Sequence, residues 1–364
     1  MNKIKAFLAR KGVVCSFRQY GVDALGAMAQ GLFCTLLVGT ILNTLGQQLH
    51  IGFLTAPVVS VGTVSYTVGG LASAMVGPGI AVAIGTALHC PPLVLFSLIP
   101  VGFAANAMGG AGGPLAVYAV TIIAAELGKL VSKETRIDIL VTPCVTVIAG
   151  IAVAQLIAAP IGTAARAVGL AIMWATELQP FFMGVLVSAL IGIALTLPIS
   201  SAAICAAFGL TGLAGGAAVA GCCAQMVGFA VMSFKENRWG GLVAQGVGTS
   251  MLQMPNILKN PRIWIPPTLA SMITGLLATC VFKLQMNGSP VSSGMGTCGF
   301  VGQIGVYTGW VSDIAAGTKA AITPMDWIGL VLICFILPAV LSTLFCRVLE
   351  KRGWIREGDM KLDL

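Results

Sequence analysis

The stretch GSPVSSGMGTCGFVGQIG, residues 288–305, interrupts a chain otherwise built from long apolar runs. Glycine and proline at this density cannot sustain a regular helix. Non-helical backbone at membrane depth survives only where protein buries it or where it lines a watery cavity. The segment Gly294-Met295-Gly296-Thr297-Cys298-Gly299 therefore reads as a re-entrant loop. A phosphate cradle would need a lysine after the glycines and a strand before them, and this stretch has neither.

Composition supports the membrane setting. The chain is 57% hydrophobic and 9% charged, with a mean hydropathy of +0.96, whereas a soluble domain runs at roughly a quarter charged. Apolar runs lie at about 22–46, 54–76, 91–108, 113–131, 138–158, 180–197, 202–214, 217–234, 240–257, 264–284 and 326–347, with 78–89 too short to cross alone. At about 20 apolar residues per crossing, these give an all-α polytopic membrane protein of about ten transmembrane helices with re-entrant hairpins. Lys3, Lys5, Arg10, Lys11 and Arg18 precede the first run, and Arg347, Lys351, Arg352, Arg356 and Lys361 follow the last. Lys and Arg collect on the cytoplasmic side, so both termini are expected there. Residues 1–20 read as an amphipathic surface helix with Ile4, Phe7 and Leu8 on one face, 21–349 as the membrane domain and 350–364 as a cytoplasmic tail. The basic ends carry no nucleic-acid motif, and no soluble catalytic module is present.

An internal echo divides the chain. Lys133-x-x-Arg136-Ile137-x-Ile139 matches Lys259-x-x-Arg262-Ile263-x-Ile265, Gly102-x-x-x-Asn106-x-x-Gly109 matches Gly221-x-x-x-Gln225-x-x-Gly228, and Gly112-Gly113 matches Gly240-Gly241. Internal repeats are the usual build of transporters, with the solute site where they meet.

Polar groups inside apolar runs are costly and mark function. Of twelve acids, ten lie in the C-terminal tail, in charged links or at the ends of apolar runs, which leaves Glu126 and Glu177. Glu126 lies one turn before Lys129 and is open to pairing with it. Glu177 stands where an amphipathic stretch breaks before Pro180. Asn106 and Gln225 share a repeat position and are suited either to bridging helices or to hydrogen-bonding a polyol. Gln179, Ser200, Ser201, Thr297 and Gln303, with Gln245, Gln253 and Asn256 on one expected helix, complete a neutral set. That set suits an uncharged, hydroxylated solute. His50 and His89 are isolated, the eleven cysteines form no C-x-x-C, and no metal, cofactor or stand-alone catalytic constellation is expected.

The stretches Asp23-Ala24-Leu25-Gly26, Gly39-Thr40-Ile41-Leu42, Glu126–Thr135, Thr176–Gly184, Leu197–Ser201, Gln225–Asn237 and the ending Gly358–Leu364 carry a resemblance. The chain resembles the enzyme IIC membrane subunit of the bacterial phosphotransferase system, more closely the stand-alone perfringolysin-regulator-like group. The resemblance implies a homodimer in the bacterial cytoplasmic membrane, an elevator-type movement of a substrate domain against a scaffold, and soluble IIA and IIB phosphoryl carriers acting in trans. It also implies a sugar held by a Thr-Glu-Pro-type motif. Thr176 and Glu177 match that motif here, and Leu178 and Gln179 are inserted before Pro180. A secondary transporter without phosphoryl transfer, and a membrane sensor regulating gene expression, are the rival readings.

Overall fold

The computed structural model describes residues 7, 8, 10–13 and 16–362. The expected helix over 1–20 rests partly on residues outside that set, Ile4 among them. Of its described part, Phe7, Leu8 and Arg10 are helical, and the chain turns at Gly12, whose φ is +66°. Among the described residues six helices are long and apolar enough to cross a membrane, or seven if one bent pair is a single span. The fold is that of an all-α polytopic membrane protein. Part of the difference from ten is that Pro92–Val131 counts once, although it comprises two helices packed on each other across a turn at Gly110, φ +52°.

Two compact units divide the chain, residues 1–165 and 166–364. The first begins with α1 (Arg18–Gln48). A second crossing was expected over 54–76, but the chain there forms an exposed antiparallel hairpin of β1 (Val59–Val61) and β2 (Val64–Tyr66). Alternating β-branched residues and the glycine at Gly62, φ +60°, favour a hairpin over a helix. Helix resumes only where the Thr67 hydroxyl accepts from the Gly70 amide, a side-chain cap. From there α2 (Val68–Ala74) and α3 (Val76–Ala87) form the pair bent by 54°. Next come α4 (Pro92–Gly109), α5 (Gly113–Val131) and the start of α6 (Asp138–Thr176). In the link before α6, Glu134 pairs with Arg10 and Lys11. The hydrogen bond from Lys11 holds its carboxyl below the usual range. Lys129 is buried and bonds the carbonyls of Gly12 and Leu88 while pairing with Glu126 at 2.9 Å. Glu126 thus meets the cation one turn away.

The second unit is organised by three mutually packed helices, α7 (Pro180–Thr196), α9 (Gly212–Met232) and α12 (Ile265–Cys280). Between α7 and α9 lies the short α8 (Ser201–Ala207). Gly184, Ser188, Gly192 and Thr196 recur every fourth residue on α7, as do Ser271, Gly275 and Thr279 on α12, so each series lies along one helix face. A Cβ on Gly221 would lie 1.9 Å from the Ser188 carbonyl oxygen, and one on Gly275 would lie 2.2 Å from the Gly184 carbonyl oxygen. Ser188 Oγ donates to the Ser271 carbonyl at 2.8 Å. Small residues let backbones meet closely where lipid supplies no hydrophobic drive between helices. The Gly-x-x-x-amide echo makes the same contact in each unit. Gly77 of α3 abuts the Gly102 carbonyl and Asn106 Cβ, and Gly192 of α7 abuts the Gly221 carbonyl and Gln225 Cγ.

Two further segments fold back on themselves. The run 240–257, expected as one helix, is broken. After α10 (Phe234–Val243) the chain becomes extended at Thr249 and returns through a 3-10 turn into α11 (Met254–Lys259). Residues 289–300 form the loop expected from the glycine pattern and lead into α13 (Val301–Ala315). A last helix, α14 (Pro324–Lys351), packs on α9 and α12.

Replacing Gly221 with alanine should destabilise the protein by about 1–3 kcal/mol, the usual cost of overpacking a close contact. Gly240→Ala, whose added methyl meets nothing within 4 Å, should leave thermal unfolding in detergent unchanged. Equal melting temperatures for the two variants would refute this packing account.

Candidate functional site

The tips of the two fold-backs meet in the second unit, residues 244–248 packing against 298–300. Strain marks the second tip. Gly296, Gly299 and the non-glycine Phe300 all have left-handed backbone, φ +54°, +51° and +58°. Phe300 has a Cβ that disfavours this region by about 1–2 kcal/mol. The loop is held by Ser201 Oγ donating to the Gly294 carbonyl at 2.7 Å and by the Gly302 amide donating to the Gly296 carbonyl at 2.9 Å. Ser293 Oγ adds a bond to the Leu210 carbonyl at 2.6 Å.

Two buried polar side chains at this tip lack good partners. Thr297 is fully buried, and its hydroxyl meets only the Met226 sulfur at 3.5 Å. Gln303 is 8% exposed; its amide nitrogen donates to Cys223 Sγ at 3.1 Å, and its Oε1 has no partner. Sulfur is a weak acceptor, and buried polar groups are ordinarily satisfied. Cys223 and Met226 are one turn apart on α9, so they share a face and set Thr297 and Gln303 along the same stripe. No acid or base belongs to this set.

Another face of α9 carries a second polar cluster, and this one is fully partnered. Gln225 is completely buried; its Oε1 accepts from Trp264 Nε1 at 3.0 Å and Thr196 Oγ1 at 3.3 Å, while its Nε2 donates to Thr268 Oγ1 at 3.2 Å. Thr196 and Ser250 hydroxyls lie 2.8 Å apart. Of the two roles open to Gln225, bridging helices is the one visible here. The first fold-back thus delivers Ser250 to a cluster shared by α7, α9 and α12.

A family model described as "Phosphotransferase system, EIIC" matches residues 22–362. This chain belongs to the phosphotransferase system EIIC family. No curated protein matches it, and no solved structure does.

The other expected site residues of this EIIC chain are distributed unevenly. Ser200 caps α8 by accepting from the Ala203 amide at 3.2 Å, and Ser201 tethers the loop. Glu177 and Gln179 are exposed in the turn between α6 and α7. Pro180 opens α7 there, its carbonyl accepting from Thr279 at 2.8 Å. Thr196 ends the same helix, so its 17 residues put about 25 Å between Glu177 and the tips. Asn106 lies in the first unit, partly exposed on α4. Thr249 and Ser250 went unnoticed in the sequence. The signal was the Gly246-Val247-Gly248-Thr249-Ser250 cluster inside an apolar run, a breaker pattern like that of 288–305. Gln245, Gln253 and Asn256 face one another across the first fold-back and not the tips: Gln253 Nε2 donates to Gln245 Oε1 at 2.9 Å, and Asn256 Nδ2 to Gln253 Oε1 at 2.9 Å.

Substituting Gln225 with leucine should strand the Trp264 indole N–H and cost about 1–3 kcal/mol. The variant should still insert. A melting temperature equal to that of the parent would show that this network carries no stability.

Proposed function

We propose that this EIIC chain is the membrane permease subunit for a sugar or another uncharged polyhydroxylated solute, and that the solute binds where the two fold-back tips meet. The observation that carries this reading is the unfilled hydrogen-bonding capacity of two buried side chains, Thr297 on the strained loop and Gln303 in the first turn of α13, both against α9. A ring of hydroxyls supplies both the donors and the acceptors these groups lack, and an ion would find no counter-charge in the set. Ser250, Thr196 and Gln225 hold the first fold-back on the helices that carry these partners. Uptake is coupled to phosphorylation by separate IIA and IIB proteins, the protein works as a homodimer, and the unit bearing the tips moves as an elevator against a scaffold.

Orientation follows from charge. Arg10, Lys11, Lys129 and Lys133 line one crevice of the first unit. In the second unit Lys235 and Arg347 line another, while Arg262 stacks on Trp354. These basic ends are placed in the cytoplasm, together with both termini. The first fold-back then enters from the cytoplasmic side, and the loop 289–300, which follows the far end of α12, enters from the opposite side.

The test begins with a panel of sugars and polyols screened by thermal shift on purified protein. For the solute that stabilises it, Gln303→Ala and Thr297→Val should each weaken binding at least about tenfold, or ~1.4 kcal/mol, with unchanged unfolding of the free protein. Glu177→Gln should stay within about twofold of the parent. If Glu177→Gln abolishes binding while the tip variants keep it, the site lies at the other end of α7. Liposome uptake that proceeds without IIA and IIB would remove the coupling to phosphorylation and leave a facilitator.

A further inference from the structure

The segment after α14 has no helix or strand of its own over residues 352–362, yet it is held by a dense set of bonds to the first fold-back. Glu236 accepts from the Gly358 and Met360 amides, each at 3.0 Å. Asn237 donates to the Met360 carbonyl at 2.8 Å and accepts from the Leu362 amide at 2.8 Å. From the opposite limb, Gln253 donates to the same Met360 carbonyl at 2.9 Å and Asn256 donates to the Lys361 carbonyl at 2.8 Å. Asn260 closes the row, donating to Asp359 Oδ2 at 2.7 Å and to the Trp354 carbonyl at 3.0 Å.

Almost every bond reads the main chain of the segment, as when an extended peptide is captured by its backbone. Side chains add selectivity. Met360 and Ile355 are each 2% exposed, so the segment buries two apolar side chains. Gly358 has φ +97°, a conformation open to glycine and strained for other residues. Burial lifts the Glu236 carboxyl above the usual carboxylate range, and the two amides it accepts from pull it back.

We propose that the two limbs of the 234–259 fold-back form a peptide-binding groove, that residues 354–362 are its ligand in cis, and that filling the groove holds the tip at Thr249–Ser250 in place. The coupling is a continuous set of bonds. Met360 bridges the limbs through Asn237 and Gln253, Gln253 bonds Gln245, and Gln245 bonds Ser233 at the end of α9 at 2.9 Å. Gln245 and Gln253 are fully buried and Asn256 is 6% exposed. If the segment leaves, Gln253 and Asn256 lose carbonyl partners that water cannot readily replace, and buried polar groups do not stay unpaired. The limbs must then rearrange, and the tip moves with them. A segment held by side chains alone, without a ladder or helix of its own, opens at lower free energy than the helices around it. The consequence for solute rests on the proposed function; the groove and its ligand do not.

The experiment is hydrogen exchange on the full chain in detergent, comparing the parent with the double variant Asn237→Ala/Gln253→Ala. The amides of Gly358, Met360 and Leu362 should exchange about tenfold faster in the variant. Residues 246–252 should follow by at least about threefold, and α9 should stay unchanged as the control for folding. Trypsin should likewise cut sooner after the exposed Arg356 and Lys361. In a chain ending at Arg352, a synthetic peptide of residues 354–364 should restore the protection of 246–252, and the same peptide with Gly358→Val should not. If the truncated chain does not fold, the double variant decides alone. Unchanged exchange of the segment in the double variant overturns the groove; a released segment with an undisturbed tip overturns the coupling. Neither readout needs a solute, so tip variants that keep solute binding would sink the proposed function and leave this inference standing.

Discussion

Everything in the second unit depends on how closely three backbones approach at Ser188, Gly221 and Gly275. In lipid, helix association has no hydrophobic gain to draw on, so it relies on packing and interhelical hydrogen bonds. At Gly221 the carbonyl of Ser188 occupies the space of a missing side chain, and Ser188 uses its hydroxyl to bond α12. This contact fixes α7, α9 and α12 as one body. Those helices in turn supply Thr196, Gln225, Cys223, Met226 and Thr268, against which both fold-backs settle. The core below, with Val219, Ala220, Cys223, Ala278 and Trp310 buried together, is continuous with the same helices. Loosening the glycine contact would therefore misplace the polar groups along with the packing.

The polar groups of this unit fall into two kinds, and the difference carries the functional argument. Gln225, Gln245, Gln253 and Asn256 have their partners within the protein. Buried amides satisfied in this way specify one arrangement of the elements that hold them. Thr297 and Gln303 donate only to sulfur and the Gln303 Oε1 has no partner, with the strained Gly299 and Phe300 between them in the chain. Such exceptions call for a physical reason, and a bound hydroxylated solute provides one.

How much of this was legible in the sequence varies by element. The broken stretch 288–305 and the alternation of apolar runs with basic links were readable because glycine, proline and charge act locally. The Gly-x-x-x-amide echo was readable as a motif, and its meaning, a helix abutting a glycine in each unit, needed the packing partners Gly77 and Gly192. The hairpin over 59–66 was hidden because valine is apolar in both strands and spans, and only the alternation with Ser60 and Ser65 distinguishes them. Thr249 and Ser250 were hidden inside a run whose average hydropathy is high. Glu177 was singled out by the cost of an acid in an apolar setting. The residue stands in the turn between α6 and α7, and sequence alone does not report the depth of that turn. The partners of Gln253 and Asn256 lie over 100 residues away, beyond the reach of any periodicity.

The two fold-backs carry irregular backbone within a membrane protein. Each must hide its own backbone polar groups, since lipid offers them no partner. The loop at 289–300 does so at the Gly294 carbonyl, which accepts from Ser201, and at the Gly296 carbonyl, which accepts from the Gly302 amide. In the fold-back at 234–259 Gln245 donates to the Gly241 carbonyl and the Thr249 hydroxyl accepts from the Met251 amide, while Asn237 and Asn256 donate to the carbonyls of Met360 and Lys361. One tip is therefore anchored within the helical body and the other by a strip of chain that is exposed at Arg356 and Lys361. A gate built from two such tips would move first where its anchor is most easily undone, and that is the side held by the strip.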